Sequence, residues 1–217
     1  YRLLKSTKII IIFNIFELDM QPDVSIVIVS MNNTGFLFPC LDGIQEYTKV
    51  TYETLVVAYM FSAANLAELK SRYPWVTVIE SNELRGFAEN NNLALKQAKG
   101  RYTFIVNDDT LMSMPVIDRL VTDMESLPED TAAVSPKIVF PDGRVQTCGR
   151  GPWNMCRYLW HYLHLVDETK KSEWTMQDGL FRTWTLNGAC FLARTSVFSD
   201  GAAFAEIYTF TPEDIAL

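Results

Sequence analysis

Histidine is almost absent from this sequence: its 217 residues carry two, His161 and His164. A histidine-based zinc centre or a Ser/His/Asp triad has little material here, and the i,i+3 pair reads better as part of an aromatic helix or loop. Cys40, Cys148, Cys156 and Cys190 are scattered without a CxxC pair, which argues against a zinc knuckle or redox dithiol and for plain reduced thiols. Neither GxGxxG nor a phosphate loop ending in GK[ST] occurs, so a dinucleotide fingerprint and an ATPase loop are both missing. No dense Lys/Arg run is present, and 19 Lys+Arg against 26 Asp+Glu leave a net charge of −7, which repels a phosphate backbone and excludes a general nucleic-acid binder. Ten glycines and nine prolines are too few for collagen-like or low-complexity character. The apolar stretch Ile9–Phe16 falls short of the roughly 20 residues that cross a bilayer, and no small-residue cleavage site follows it. It is expected to be an added strand or packing arm, with a peripheral membrane contact as the alternative.

What is present is a chain with 48% hydrophobic and 21% charged residues, long enough to bury a full core without staples. From Val24, Val-Ser-Ile-Val-Ile-Val-Ser reads as a strand buried on both faces. Apolar residues from Phe36 to Tyr47 recur at helical spacing, which requires Pro39 to sit in the first turn. Thr54–Tyr59 is a second strand, Asn65–Arg72 a short helix, and Trp75–Glu80 a third strand. Gly86–Ala98 follows as a helix stopped by Gly100, then Tyr102–Val106 as a fourth strand. The next helix is expected to open on Ser113 as cap with Pro115 near its first position, turning Ile117, Leu120, Val121, Met124 and Leu127 inward. Strict alternation over about the first 130 residues predicts an α/β fold with a mostly parallel sheet flanked by helices, binding ligands beyond the carboxyl ends of its strands. Later, Ala133–Phe140 reads as a strand or strand pair, Pro141–Arg144 as a turn with Val145–Thr147 returning as a hairpin, and Thr183–Ala193 as extended. Gly151–Gly179, aromatic and polar without clean periodicity, reads as a variable lobe over the sheet.

Three acidic or amide-rich clusters carry the candidate chemistry. Asn107-Asp108-Asp109 follows the fourth strand, where carboxylates reach a ligand without being buried unpaired; hard oxygen ligands there suit Mg²⁺ or Mn²⁺ bridging a diphosphate, and an Asx turn closing the strand is the plainer alternative. Gly86-Phe87-Ala88-Glu89-Asn90-Asn91-Asn92 gathers amides at a helix start that suit phosphate or sugar oxygens, or else serve capping and packing. Glu206 and Glu213-Asp214 add carboxylates near the end of the sequence, with a solvated acidic turn as the alternative. Trp153, Trp160, Trp174 and Trp184 suit a sugar cleft or simple packing.

In order, these segments resemble the inverting GT-A nucleotide-sugar glycosyltransferases of family 2, and in particular a rhamnosyltransferase-like branch that builds bacterial surface polysaccharides. Ser25-Ile-Val-Ile-Val-Ser-Met-Asn-Asn33 is similar to the family's opening strand and S-x-N loop, Asn82-Glu-Leu-Arg-Gly-Phe-Ala-Glu-Asn-Asn91 to N-x-x-x-G-F-A-x-x-N, Val106-Asn-Asp-Asp-Thr110 to the L-N-x-D-T form of the DxD motif, Asn187-Gly-Ala-Cys190 to a strand bordering the acceptor cleft, and Pro212-Glu-Asp-Ile-Ala-Leu217 to E-D-x-D-L. The resemblance implies a GT-A fold, with residues 1–21 as an extension, 22–130 as a nucleotide-binding half and 131–217 as an acceptor half truncated at its end. It implies donor contacts from Ser30, Asn32, the position of Ala58, Arg85, Gly86, Phe87, Asn91, Asn107 and Asp108, a metal at Asp109 (Mg²⁺ or Mn²⁺), and Asp214 as general base. The expected partners are a UDP- or dTDP-linked sugar and a saccharide or lipid-linked glycan acceptor, in the cytoplasm or at the inner face of the membrane. Three alanines depart from the pattern where the family usually has aspartate: Ala58, in place of the residue expected to read the base, Ala205 and Ala216. They leave a second expectation open, a catalytically impaired homologue that binds a sugar nucleotide or glycan. A related nucleotidyltransferase is a third, although Met31-Asn-Asn-Thr-Gly35 is not the Gly/Arg/Lys-rich loop it would want.

Overall fold

A computed structural model describes residues 21–146, 149–150, 159, 163, 183, 185–198 and 204. Four strands, β1 (Val24–Met31), β2 (Tyr52–Tyr59), β3 (Val76–Ser81) and β4 (Tyr102–Val106), alternate with α1 (Thr34–Tyr47), α2 (Ala63–Arg72) and α3 (Phe87–Leu95), and α4 (Val116–Ser126) follows β4. After α4 come the short strands β5 (Ala133–Val134), β6 (Gly149–Arg150) and β7 (Thr185–Leu186), then β8 (Cys190–Arg194). One six-stranded sheet has the order β3-β2-β1-β4-β8-β5. Its first four strands are parallel, while β8 runs antiparallel to both β4 and β5. This is the expected α/β architecture with a mostly parallel central sheet. Strands β6 and β7 pair antiparallel in a separate two-stranded sheet.

The β-branched runs explain the sheet's centre. Val24, Ile26 and Ile28 bury one face of β1 against α1, α2 and α4, through Leu37, Leu41, Ile44, Leu69, Ile117, Leu120 and Met124. Val27 of β1 faces the other way, to a smaller core shared with Ala88, Ala94 and Leu95 of α3 and with Phe191, Phe198 and Phe204. Both faces of the central strands are therefore covered, as parallel strands require.

At the amino ends of the strands the backbone of Gly100 passes directly against β1. Ser25 Oγ accepts from the amides of Lys99 (3.0 Å) and Gly100 (2.7 Å) and donates to Glu53 Oε1 at 2.6 Å. A Cβ on Gly100 would sit 2.3 Å from Ser25 N, so this approach needs glycine. Asp118 of α4 accepts from the amides of Lys49 and Val50, fastening the α1–β2 turn to α4.

Several boundaries differ from the sequence expectation. Helix α1 begins at Thr34, capped by Asn33, so Pro39 lies inside the helix beyond its first turn. Helix α2 begins at Ala63 behind a Ser62 cap. Helix α3 ends at Leu95 and the chain continues in tighter i→i+3 turns, Gln97 N to Ala94 O and Ala98 N to Leu95 O. Ser113 does not cap α4, whose cap position is Pro115. Proline keeps the residue before it out of helical geometry, so the helix cannot start as early as a Ser113 cap demands. Only Ala133–Val134 of the Ala133–Phe140 segment joins the sheet; the expected turn follows, with Val139 bridged to Val145 and Phe140 N donating to Arg144 O at 2.8 Å. Ile9–Phe16, Cys148, Cys156, His161, His164, all four tryptophans named above, Ala205, Glu206 and Glu213–Leu217 lie outside the described residues.

Candidate active site

Strand order reverses between β1 and β4: from β1 the chain crosses to β2 on one side, while β4 lies on the other. Loops leaving the carboxyl ends of two such strands diverge and open a crevice, the usual ligand position in doubly wound sheets. Ser30 closes β1 on one wall of it and Asn107-Asp108-Asp109 leaves β4 on the other.

The β4 loop is held by its backbone, which frees its carboxylates. Asn107 N donates to Ala189 O at 2.9 Å, Asn107 O accepts from Thr110 N at 3.2 Å, and the Cys40 thiol approaches the same carbonyl. Asp108 is half-buried and Asp109 is exposed. Burial pushes the Asp108 carboxyl above its ordinary range; the neighbouring Ser30 hydroxyl lowers it and the Asp109 charge raises it further. Ser30 Oγ and Asp108 do not meet in full hydrogen-bonding geometry, and this fully buried hydroxyl has no other partner among the described residues. Cys40 feels the same charges: burial first, then Asp108 and Asp109, push its thiol up to about 12, so it stays a protonated, inert thiol.

The β1 and β2 loops are tied together. Asn32 adopts a left-handed backbone (φ 53°), and its Oδ1 accepts from Ser62 N and Asn65 Nδ2, both at 2.9 Å. Its side-chain oxygen is thus spent on the start of α2. Ala58 stands opposite Ser30 on one side and Glu80 on the other, and is buried. It offers no polar atom to a ligand.

The amide-rich segment turns mainly inward. Gly86 N donates to Glu89 Oε2 at 2.8 Å, and Asn90 takes the Ser81 hydroxyl while donating to Gly86 O. Asn91 Nδ2 donates to Phe87 O at 2.9 Å, and Asn92 Nδ2 to Phe204 O at 2.9 Å. These three buried side chains therefore fix the geometry of α3. Ahead of the helix, Arg85 N donates to Tyr59 OH at 3.4 Å and its guanidinium pairs with Glu83, while its buried Nε has no partner among the described residues. Tyr59 shapes this end of the sheet without having been singled out in the sequence, while Glu89 and Asn92 belong to the amide-rich cluster but serve the helix rather than an open face; the i,i+3 Gly86/Glu89 spacing was the legible signal for Glu89. Ser30, Ala58, Asp108 and Asp109 gather at the carboxyl ends of β1, β2 and β4, while Arg85 and Gly86 lie in the β3–α3 connection and Phe87 opens α3.

No group of three or more His, Cys, Asp or Glu side chains forms a ready metal cage among the described residues. Two adjacent carboxylates fit a hard divalent cation nonetheless, because Mg²⁺-type ions take one or two protein carboxylates and complete their shell with phosphate and water oxygens. Burial, and then the Asp109 charge, raise the Asp108 carboxyl, and a bound cation would offset both.

A mostly parallel α/β sheet with β8 antiparallel between β4 and β5 and acidic residues after β4 is consistent with GT-A architecture. The chain belongs to glycosyl transferase family 2, whose model matches residues 25–181. A mannosyltransferase from Pyrobaculum calidifontis, solved with GDP-Man and Mn²⁺, shares the fold at TM-score 0.59 and 19% identity, over 91% of this chain and 51% of that one. S. aureus TarS (residues 1–349) in complex with UDP-GlcNAc does so at TM-score 0.60 and 17% identity, over 89% and 51%. The chain thus spans about half the length of these relatives. Comparison with curated proteins finds no match.

Proposed function

We propose that the protein transfers a sugar, with inversion, from a UDP-, dTDP- or GDP-linked donor to a hydroxyl of a saccharide or lipid-linked glycan, in the manner of the rhamnosyltransferase-like enzymes of bacterial surface polysaccharide synthesis. The observation that supports this reading is Asp108, with Asp109 next to it in sequence, beside Ser30 across the switch point in a family 2 chain. Residues 22–130 hold the donor and 131–217 the acceptor. Asp109, with Asp108 and Asn107 beside it, holds Mg²⁺ or Mn²⁺, and the ion supplies compensation for charge on the leaving diphosphate. Ser30, Arg85, Gly86 and Phe87 line the donor side; Arg85 Nε, which has no partner among the described residues, is a donor for a phosphate oxygen. Asn32 and Asn91 act one step back, by fixing the loop and the helix that present these groups.

Asp214 accepts the proton of the acceptor hydroxyl. The acceptor oxygen bonds to the anomeric carbon as its bond to the diphosphate oxygen breaks, giving a glycoside and a nucleoside diphosphate. At neutral pH an ordinary carboxylate is ionised and ready for this role. Ala58 favours a second reading, a donor- or glycan-binding module of reduced activity, because the base-side carboxylate is missing. Among the described residues no helix is long and apolar enough to cross a membrane, and a contact with the inner membrane face would run through other features.

Nucleoside diphosphate release from UDP-glucose, UDP-GlcNAc, dTDP-rhamnose and GDP-mannose with Mn²⁺, in wild type and Asp214→Asn, tests the proposal. The expected outcome is metal-dependent release that falls by about 10²-fold or more in the variant. Release that is equal in the two proteins removes Asp214 from the mechanism, and donor binding without release favours the second reading.

A further inference from the structure

Glycine is a poor helix former, yet α1 carries a buried Gly43 in its interior. A Cβ there would lie 2.9 Å from Met112 O and 3.4 Å from Met112 N, both backbone atoms. Met112 is itself buried in the larger core. One turn earlier, on the same face of α1, the buried Cys40 thiol donates to Asn107 O at 3.9 Å. Asn107 and Met112 are the two feet of the acidic loop: between them, Thr110 N donates to Asn107 O and closes the turn that carries Asp108 and Asp109. Both feet therefore stand on α1, while Asp109 and Leu111 between them are exposed. The helix is fastened elsewhere. Asp42, next to Gly43, accepts from Tyr73 OH at 2.7 Å and pairs with Arg72, and Asp118 accepts from the Lys49 and Val50 amides just past the helix end.

We propose that Gly43 is a positioning residue for the cation and its sugar nucleotide: the bare helix backbone lets Met112 pass at contact distance and so sets where the acidic turn stands. This rests on the transfer reading above, with Asp108-Asp109 as the cation site. Gly43 touches no ligand. A methyl group at this position falls about half an ångström short of ordinary contact with the Met112 carbonyl. With α1 held by its own bonds to Tyr73, Arg72 and Asp118, the loop is the part that yields. Binding groups work only when held to within about 0.5 Å, and a Mg²⁺-type ion demands near-ideal octahedral geometry, so a displacement of that size is felt at the carboxylates.

Three variants separate this from a general packing role. Gly43→Ala lifts one foot of the loop, Met112→Ala releases the same foot from the core, and Leu69→Ala removes a buried side chain from that core on α2, which joins β2 to β3. Affinity for UDP-GlcNAc, UDP-glucose, dTDP-rhamnose and GDP-mannose is measured in Mn²⁺ and in EDTA, with the Mn²⁺ concentration at half-maximal binding and hydrogen exchange at the Asn107 and Thr110 amides. For Gly43→Ala and Met112→Ala the expected result is Mn²⁺-dependent affinity lowered by about tenfold, a raised Mn²⁺ requirement, faster exchange at both amides and unchanged residual binding in EDTA. Leu69→Ala should melt lower yet keep its affinity and Mn²⁺ requirement within about twofold of wild type. Should Gly43→Ala fail to fold, Met112→Ala decides between the same outcomes. Affinity unchanged in both loop variants, affinity lost equally in EDTA, or an equal loss in Leu69→Ala would each overturn the proposal. A wild type that binds no donor in Mn²⁺ refutes the transfer reading; faster exchange at the two amides in Gly43→Ala then still supports the seating of the loop, and unchanged exchange overturns it.

Discussion

Restoring a carboxylate at position 58 is the sharpest perturbation available at this site. Ala58 is 1% exposed, at the next-to-last residue of β2, with Ser30 opposite on β1 and Glu80 opposite on β3. Ser30 Oγ lacks a full hydrogen bond among the described residues, so Ala58→Asp would bring a new acceptor to a hydroxyl that needs one. The cost is desolvation of a new charge beside the existing Asp108 and Glu80 carboxylates, about 1–3 kcal/mol with one hydrogen bond in compensation. At about 2–4 °C per kcal/mol for a domain of this size, the free variant should melt roughly 2–12 °C lower than wild type. Uracil, thymine and guanine each present an N–H edge, and a charge-assisted hydrogen bond to it is worth about 1.5–3 kcal/mol, or about 10- to 150-fold in Kd. Titration calorimetry of UDP, dTDP and GDP with Mn²⁺ should therefore show at least one nucleotide binding about tenfold tighter or better to Ala58→Asp, with part of the lost melting temperature recovered on binding. A folded variant whose Kd for all three stays within about twofold of wild type refutes the argument that position 58 faces the base.

Other outcomes follow from particular contacts. Gly100→Ala places a Cβ against backbone atoms of Ser25, Tyr102 and Val24, none of which can swing aside, and should cost about 3 kcal/mol or more in thermal unfolding; a melting temperature within about 2 °C of wild type would contradict the close approach. Asp108→Asn should raise stability at neutral pH while weakening Mn²⁺-dependent donor binding. Because the folded pKa of Asp108 lies above 3.8, its ionisation costs stability once pH exceeds that value, so the variant's advantage is full at neutral pH and closes as pH falls through the raised pKa toward 3.8. Melting curves across pH check the sign, and a variant less stable than wild type at pH 7 would contradict it.

The order of elements was legible because the strands announce themselves. Buried runs such as Val-Ser-Ile-Val-Ile-Val in β1 and Thr-Phe-Ile-Val in β4 belong to a sheet covered on both faces, and their alternation with short helices leaves few topologies. Boundaries were less legible where one residue serves two purposes. Pro39 lies within α1, where it leaves the Gly35 carbonyl without its helical partner, a cost that sequence spacing would have avoided by placing it in the first turn. Ser113 has the right chemistry for a cap and the wrong register, since Pro115 delays the helix.

In the candidate site, residue type pointed to the right loops but not to each side chain's task. Asn32 and Asn91 look like ligand amides in the sequence, yet the oxygen of one accepts from Ser62 N and Asn65 Nδ2 at the start of α2 and the amide of the other bonds back along α3. Local backbone groups compete for asparagine, and the competition is decided by geometry that spacing does not encode. The Asn92–Phe204 contact was beyond reach for a related reason: a hydrogen bond across 112 residues leaves no local pattern.

The central claim is that the acidic pair at the switch point receives a sugar nucleotide through a divalent cation. Calorimetric titration of UDP-GlcNAc, UDP-glucose, dTDP-rhamnose and GDP-mannose into wild type and Asp109→Asn, each with Mn²⁺ and with EDTA, tests it most directly. The account predicts saturable binding of at least one donor to wild type in Mn²⁺, weakened by about tenfold or more by EDTA and likewise by Asp109→Asn. Absence of binding for all four donors, or binding indifferent to both the metal and Asp109, would contradict it.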